Sequence, residues 1–71
     1  MKNTKVNISK LLAAMRDNSY EVAKSFDRTG KYEVAKRFRT EAAAFQMAMW
    51  LLTDKEYFDS IYEIYKNNIN V

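Results

Sequence analysis

The chain has 71 residues, with twelve basic and nine acidic side chains and a net charge of +3. It contains no cysteine and no histidine, which excludes disulfides, thiolate metal sites and the commonest general base. A chain of this length forms one domain at most, and its core alone yields only about 3–5 kcal/mol of stability. The sequence therefore predicts a protein that gains support by associating with itself or with another protein.

Neither export nor membrane insertion is expected. The basic start leads into a short apolar patch that Asn7, Ser9 and Lys10 interrupt, whereas a signal peptide needs an apolar stretch of about 7–15 residues. The longest apolar run has about a dozen residues, and a membrane-spanning helix needs about 20. Together with the lack of cysteine, these features favour a cytoplasmic location.

Strong helix formers fill the chain, which has no proline and a single glycine. We predict one helical domain of three helices, in which the first two form an antiparallel hairpin about Gly30. The predicted helices cover about residues 8–28, 31–52 and 54–67, and flexible tails cover 1–6 and 68–71.

The first predicted helix has Asn7 or Ser9 as its N-cap and an apolar stripe that also contains Ser19. We expect this stripe to pack on the second helix. The related segments "SYEVAKSF" and "KYEVAKRF" then flank the turn. One unbroken helix through Gly30 is the alternative, at a cost of about 1 kcal/mol for the glycine. The apolar members of the stripe are Ile8, Leu11, Leu12, Met15, Val22, Ala23 and Phe26.

The second predicted helix carries a heptad-like seam from Ala35 to Leu52. Its opposite side changes from basic in the first half to apolar in the second half. Thr53 and Glu56 have the spacing of a capping box at the start of the third helix. We expect the third helix to turn back there and to cover the apolar side of the second, which contains Met47, Trp50 and Leu51.

The sequence does not favour an enzyme, a metal site or a cofactor site. Its serines have no histidine to activate them, and no glycine-rich phosphate loop is present. Asp59 and Glu63 lie one helical turn apart and are the best candidates for acid–base work or a hard cation. Two carboxylates on an exposed helix face are more often simply solvated.

Two surfaces remain as candidate sites. Basic residues concentrate in residues 1–39, so the hairpin has a basic face that suits an acidic protein surface or nucleic acid, or is simply solvated. An aromatic group near the end of the second helix suits either the core of the bundle or an interface with another subunit or partner. The basic face comprises Lys24, Arg28, Lys36, Arg37 and Arg39, and the aromatic end comprises Met47, Trp50, Tyr57, Tyr62 and Tyr65.

These features predict an all-α protein with a long antiparallel helical hairpin and a shorter C-terminal helix. Its expected function is a small protein-binding regulator or inhibitor that works as a homo-oligomer and occupies a partner protein's surface. The composition is also common among accessory proteins of phages and mobile elements. The alternatives are a nucleic-acid-binding protein that uses the basic hairpin and a structural subunit of a larger assembly.

Overall fold

The computed structural model describes residues 4–69, which form three helices and no strand. The first two helices are long and pack closely together, and the third is shorter. The predicted all-α hairpin with a shorter C-terminal helix is therefore confirmed. The helices are α1 (Thr4–Arg28), α2 (Tyr32–Thr53) and α3 (Lys55–Ile69).

The helices extend further than the sequence indicates. Residues 4–6 and 68–69, predicted as tails, are helical, whereas residues 1–3 and 70–71 lie outside the described part of the chain. The predicted N-cap at Asn7 or Ser9 is wrong, because both residues lie inside α1. No glycine or proline precedes them, so nothing in the sequence stops the helix at that point.

The turn between α1 and α2 is built around Gly30, which has a positive φ of 77°. The amide of Lys31 donates to the carbonyl of Phe26 at 2.9 Å, and that of Gly30 donates to Asp27 at 3.1 Å. These two hydrogen bonds form a Schellman motif with the glycine at the left-handed position. They end α1 and reverse the chain, so the two segments 19–26 and 31–38 lie on opposite sides of a bend.

Contacts across the hairpin fix its antiparallel register. The rings of Phe26 and Phe38 stack with their centroids 5.7 Å apart, and Arg39 Nη1 lies 2.8 Å from Asp27 Oδ2. Further from the turn, Arg16 Nη1 donates to Gln46 Oε1. Positions rise along α2 as they fall along α1, as expected for antiparallel helices.

The centre of the hairpin is made of small side chains. No large side chain among the described residues is fully buried. Small residues let two helix backbones approach closely, but they remove little apolar surface from water. The buried side chains are Ser19, Ala23, Ala35 and Ala42.

The predicted packing face of α1 is only partly correct. Leu12, Val22 and Phe26 are half-buried as expected, but Leu11 leaves 60% of its surface exposed. Ile8 and Met15 are exposed as well. The buried residues are small on both helices, namely Ser19 and Ala23 on α1 and Ala35 and Ala42 on α2, so the bulky apolar residues of α1 lie to one side of the contact.

The third helix projects away from the hairpin. A single residue, Asp54, separates α2 from α3, and its backbone is extended, with φ −118° and ψ 104°. Within residues 4–69, α3 approaches α2 but not α1. The Cα atoms extend over 44 × 32 × 21 Å, whereas the backbones of two packed helices span only about 14 Å across.

The expectation that α3 folds back along α2 is therefore wrong. Helix–helix connections in bundles usually have about 2–8 residues, and the one-residue link in this chain does not reverse its direction.

Replacing Gly30 with alanine should destabilise the hairpin. Nothing lies within 4 Å of a Cβ added at this position, so the cost comes from the left-handed backbone alone and amounts to about 1–2 kcal/mol. Gly30→Asn should cost less, because asparagine tolerates this conformation. Urea unfolding of both variants checks this, and equal midpoints for the two would contradict it.

Replacing Ser9 with alanine should stabilise the protein. The hydroxyl of Ser9 is buried and has no hydrogen-bond partner within the described residues, and such a group costs about 1–3 kcal/mol. Ser25→Ala is the matched control, since Ser25 is exposed on the same helix and gains the same helix propensity. The midpoint of Ser9→Ala should exceed that of Ser25→Ala in thermal unfolding.

Candidate interaction surface

The start of α3 is fixed by Asp54. Its carboxylate Oδ1 accepts a hydrogen bond from the amide of Tyr57 at 3.0 Å, and its carbonyl accepts from Phe58 at 2.9 Å. Asp54 is therefore the N-cap. The predicted capping box is wrong, because Thr53 still belongs to α2 and its hydroxyl donates to the carbonyl of Met49 at 2.9 Å.

Aromatic rings make the contact between α2 and α3. Trp50 and Tyr57 meet edge to face, with centroids 5.5 Å apart and planes inclined by 62°. Tyr57 is half-buried, whereas 43% of the surface of Trp50 stays exposed. Two of the five residues of the predicted aromatic end are thus in direct contact, and they connect α3 to α2.

The other three predicted residues lie on open surface. Met47 is exposed on α2, and Tyr62 and Tyr65 are exposed on α3. Tyr62 stacks on Phe58, with ring centroids 5.9 Å apart, so aromatic rings lie side by side on the surface of α3.

Several exposed apolar residues were not among the predicted site residues. On α3 the most exposed is Ile64, at 67%. Their helical spacing was visible in the sequence, and the α1 residues were expected to be covered by α2. The additional residues include Ile8, Leu11, Met15, Leu51, Phe58, Ile64 and Ile69.

Three of the five residues of the predicted basic face line two shallow clefts. Lys24 and Arg39 line one cleft, where Lys24 Nζ lies 3.4 Å from Glu21 and Arg39 pairs with Asp27. Arg37 lines a second cleft together with apolar and acidic side chains. Lys36 and Arg28 are exposed, and Arg28 Nε donates to the carbonyl of Lys24 at 3.4 Å. Carboxylates thus interrupt the positive charge of this face.

The carboxylates proposed for acid–base chemistry are engaged separately. Asp59 binds Lys55 Nζ at 2.8 Å, and Glu63 binds Lys66 Nζ at 2.8 Å. The hydrogen bond and the charge of Asp59 raise the pKa of the Lys55 ammonium above its usual value. A lysine nucleophile needs the opposite shift. Residues 4–69 contain no group of three acidic side chains able to hold a metal ion.

None of the helices in the described part of the chain is long and apolar enough to cross a membrane. No family model, curated protein or solved structure matches the chain. The arguments for function therefore depend on the exposed surface of the molecule itself.

Replacing Asp54 with alanine should weaken the first turn of α3 by about 1 kcal/mol, because the amide of Tyr57 loses its acceptor. Amide hydrogen exchange in residues 57–60 should become faster. Thr53→Ala is the control, and it should leave exchange in this turn unchanged. Faster exchange in the Thr53 variant alone would contradict the assignment of the cap.

Proposed function

We propose that this is a non-enzymatic protein-binding protein that presents an apolar helical surface to another polypeptide chain. The observation that supports this proposal is the row of exposed apolar side chains along α3. We call this row the α3 stripe, and its members are Phe58, Tyr62, Tyr65 and Ile69.

The spacing of the α3 stripe suits recognition by a groove. Its members are four, three and four residues apart, so they lie along one side of α3. Amphipathic helices that dock into apolar grooves present side chains with this spacing. Aromatic residues, tyrosine above all, are also enriched among the residues that dominate binding energy. Each tyrosine buries its ring in such an interface while its hydroxyl remains at the rim.

The surface area of the chain gives a second argument for a binding function. The chain exposes 5839 Å², whereas a folded monomer of 8.4 kDa exposes about 4,600 Å². Its radius of gyration is 15.2 Å, compared with about 11 Å for a compact chain of this length. A protein with so much uncovered surface gains stability when another chain covers it.

The finer role that we propose is that of a small cytoplasmic regulator or inhibitor, which acts by occupying a surface of its partner. Nucleic-acid binding receives less support, because Asp17, Glu21 and Asp27 line the same cleft as Lys24 and Arg39. These carboxylates would repel a phosphate backbone.

Photocrosslinking tests the proposal in cells. Tyr62 is replaced by the photoreactive amino acid p-benzoylphenylalanine, and irradiation should yield covalent adducts with protein. Tyr32 is the matched control position, because it is a tyrosine that is even more exposed, at 65%, and lies near the turn between α1 and α2. Tyr32 should give few or no adducts.

The masses of the adducts distinguish the partners. An adduct of two copies of the chain indicates self-association, and a heavier adduct indicates a foreign protein. Either result supports a protein-binding surface on α3. Equal labelling at Tyr32 and Tyr62, or no adduct at Tyr62, would refute the proposal.

A further inference from the structure

The hairpin has an uncovered apolar groove. Three side chains of α1 and three of α2 repeat at intervals of three and four residues, so each set forms a row along one face of its helix. Met15 and Phe45 line one shallow cleft together, which means that the two rows flank the same side of the hairpin. We call this surface the hairpin groove, and it is formed by Ile8, Leu11, Met15, Phe45, Ala48 and Leu52.

A third helix would cover such a groove in a three-helix bundle. In this chain the third helix is present and its α3 stripe is exposed, but the two surfaces approach each other only at one end. The single residue Asp54 does not let α3 turn back over its own hairpin. Phe58 reaches only the open end of the groove, where it lines a cleft with Lys5 and Leu52.

We infer that a second copy of this chain covers the hairpin groove, with the α3 stripe of each copy lying in the groove of the other. The inference rests on the proposed function and names the partner. Each chain carries one groove and one stripe, so a reciprocal exchange between two chains covers both surfaces at once. The exchange is isologous, and it closes at the dimer without leaving either surface free.

The exposed area of the chain is sufficient for this exchange. The surface exposed beyond that of a compact monomer is on the order of 1,000 Å² per chain, and a standard stable interface buries about 800 Å² on each partner.

The charges favour the same pairing. The part of the hairpin that flanks the groove, residues 5–19 and 41–52, carries three basic and two acidic side chains, whereas α3 carries two basic and three acidic ones. Placing α3 against a hairpin brings opposite net charges together. Pairing α3 with α3, or hairpin with hairpin, brings like charges together.

Engineered disulfides test the exchange directly, because the natural sequence has no cysteine. One chain carries Leu11→Cys, at the middle of the α1 row, and the other carries Tyr62→Cys, near the middle of the α3 stripe. Central positions stay close to each other whichever way α3 runs along the groove. The two chains are mixed, refolded together and oxidised, and covalent dimers are identified by mass spectrometry.

A disulfide between the Leu11→Cys chain and the Tyr62→Cys chain is the expected product. The control replaces Leu11→Cys with Asp17→Cys, which is exposed and lies about 120° further around α1. The Leu11 pair should form about tenfold more mixed disulfide than the Asp17 pair, because disulfides need Cα atoms within about 7 Å. Equal yields from the two pairs, or dimers of Tyr62→Cys chains only, would overturn the exchange.

Light scattering on the natural chain over a dilution series gives a readout that needs no substitution. A mass of twice 8.4 kDa is expected at micromolar concentration, and a monomer at every concentration would overturn the inference. The crosslinking result shows whether the proposed function fails as well. If the chain is a monomer and Tyr62 crosslinks to a foreign protein, the exchange is wrong but the proposed function stands. If the chain is a dimer and Tyr62 gives no adduct, both the exchange and the proposed function are wrong.

Discussion

The connection between α2 and α3 is the constraint on which the rest of the molecule depends. Asp54 is the only non-helical residue between the two helices, and its carboxylate starts α3 immediately by capping the amide of Tyr57. A link this short holds Trp50 against Tyr57 but directs α3 away from α1. The apolar face of α3 and the groove of the hairpin therefore remain uncovered, although both belong to the same chain.

The small buried residues between α1 and α2 define the geometry of the hairpin but stabilise it little. Ala23, Ala35 and Ala42 let α1 and α2 approach closely, and the Schellman turn at Gly30 sets their register. Such an interface is well defined in geometry, but it buries little apolar area and so contributes little hydrophobic stabilisation. The larger apolar side chains lie beside it, where a further helix can cover them. The small residues and the turn therefore fix the geometry of the hairpin, whereas further hydrophobic stabilisation has to come from covering the larger apolar side chains.

Sequence patterns predicted part of the candidate surface. The aromatic residues of α3 were recognisable from their spacing, and Trp50 was grouped correctly with Tyr57. The exposed residues Ile8, Leu11 and Met15 were assigned to the packing face of α1 instead. An apolar stripe indicates that a helix face is stabilised by burial, but it does not indicate which neighbouring helix covers that face. Similarly, Thr53 and Glu56 fit a capping box, yet α2 continues through Thr53 because its hydroxyl bonds within that helix.

By itself, the sequence determined the helical class, the number of helices and the turn at Gly30. These features are local: they follow from helix propensity, from apolar periodicity over neighbouring residues and from the one residue that adopts a positive φ without strain. Only the tertiary structure decided which face of α1 packs on α2 and where α3 points. Those outcomes depend on the size of side chains that meet from positions 12 to 30 residues apart in the chain. They also depend on whether the link before α3 has one residue or two or three, which no local pattern resolves.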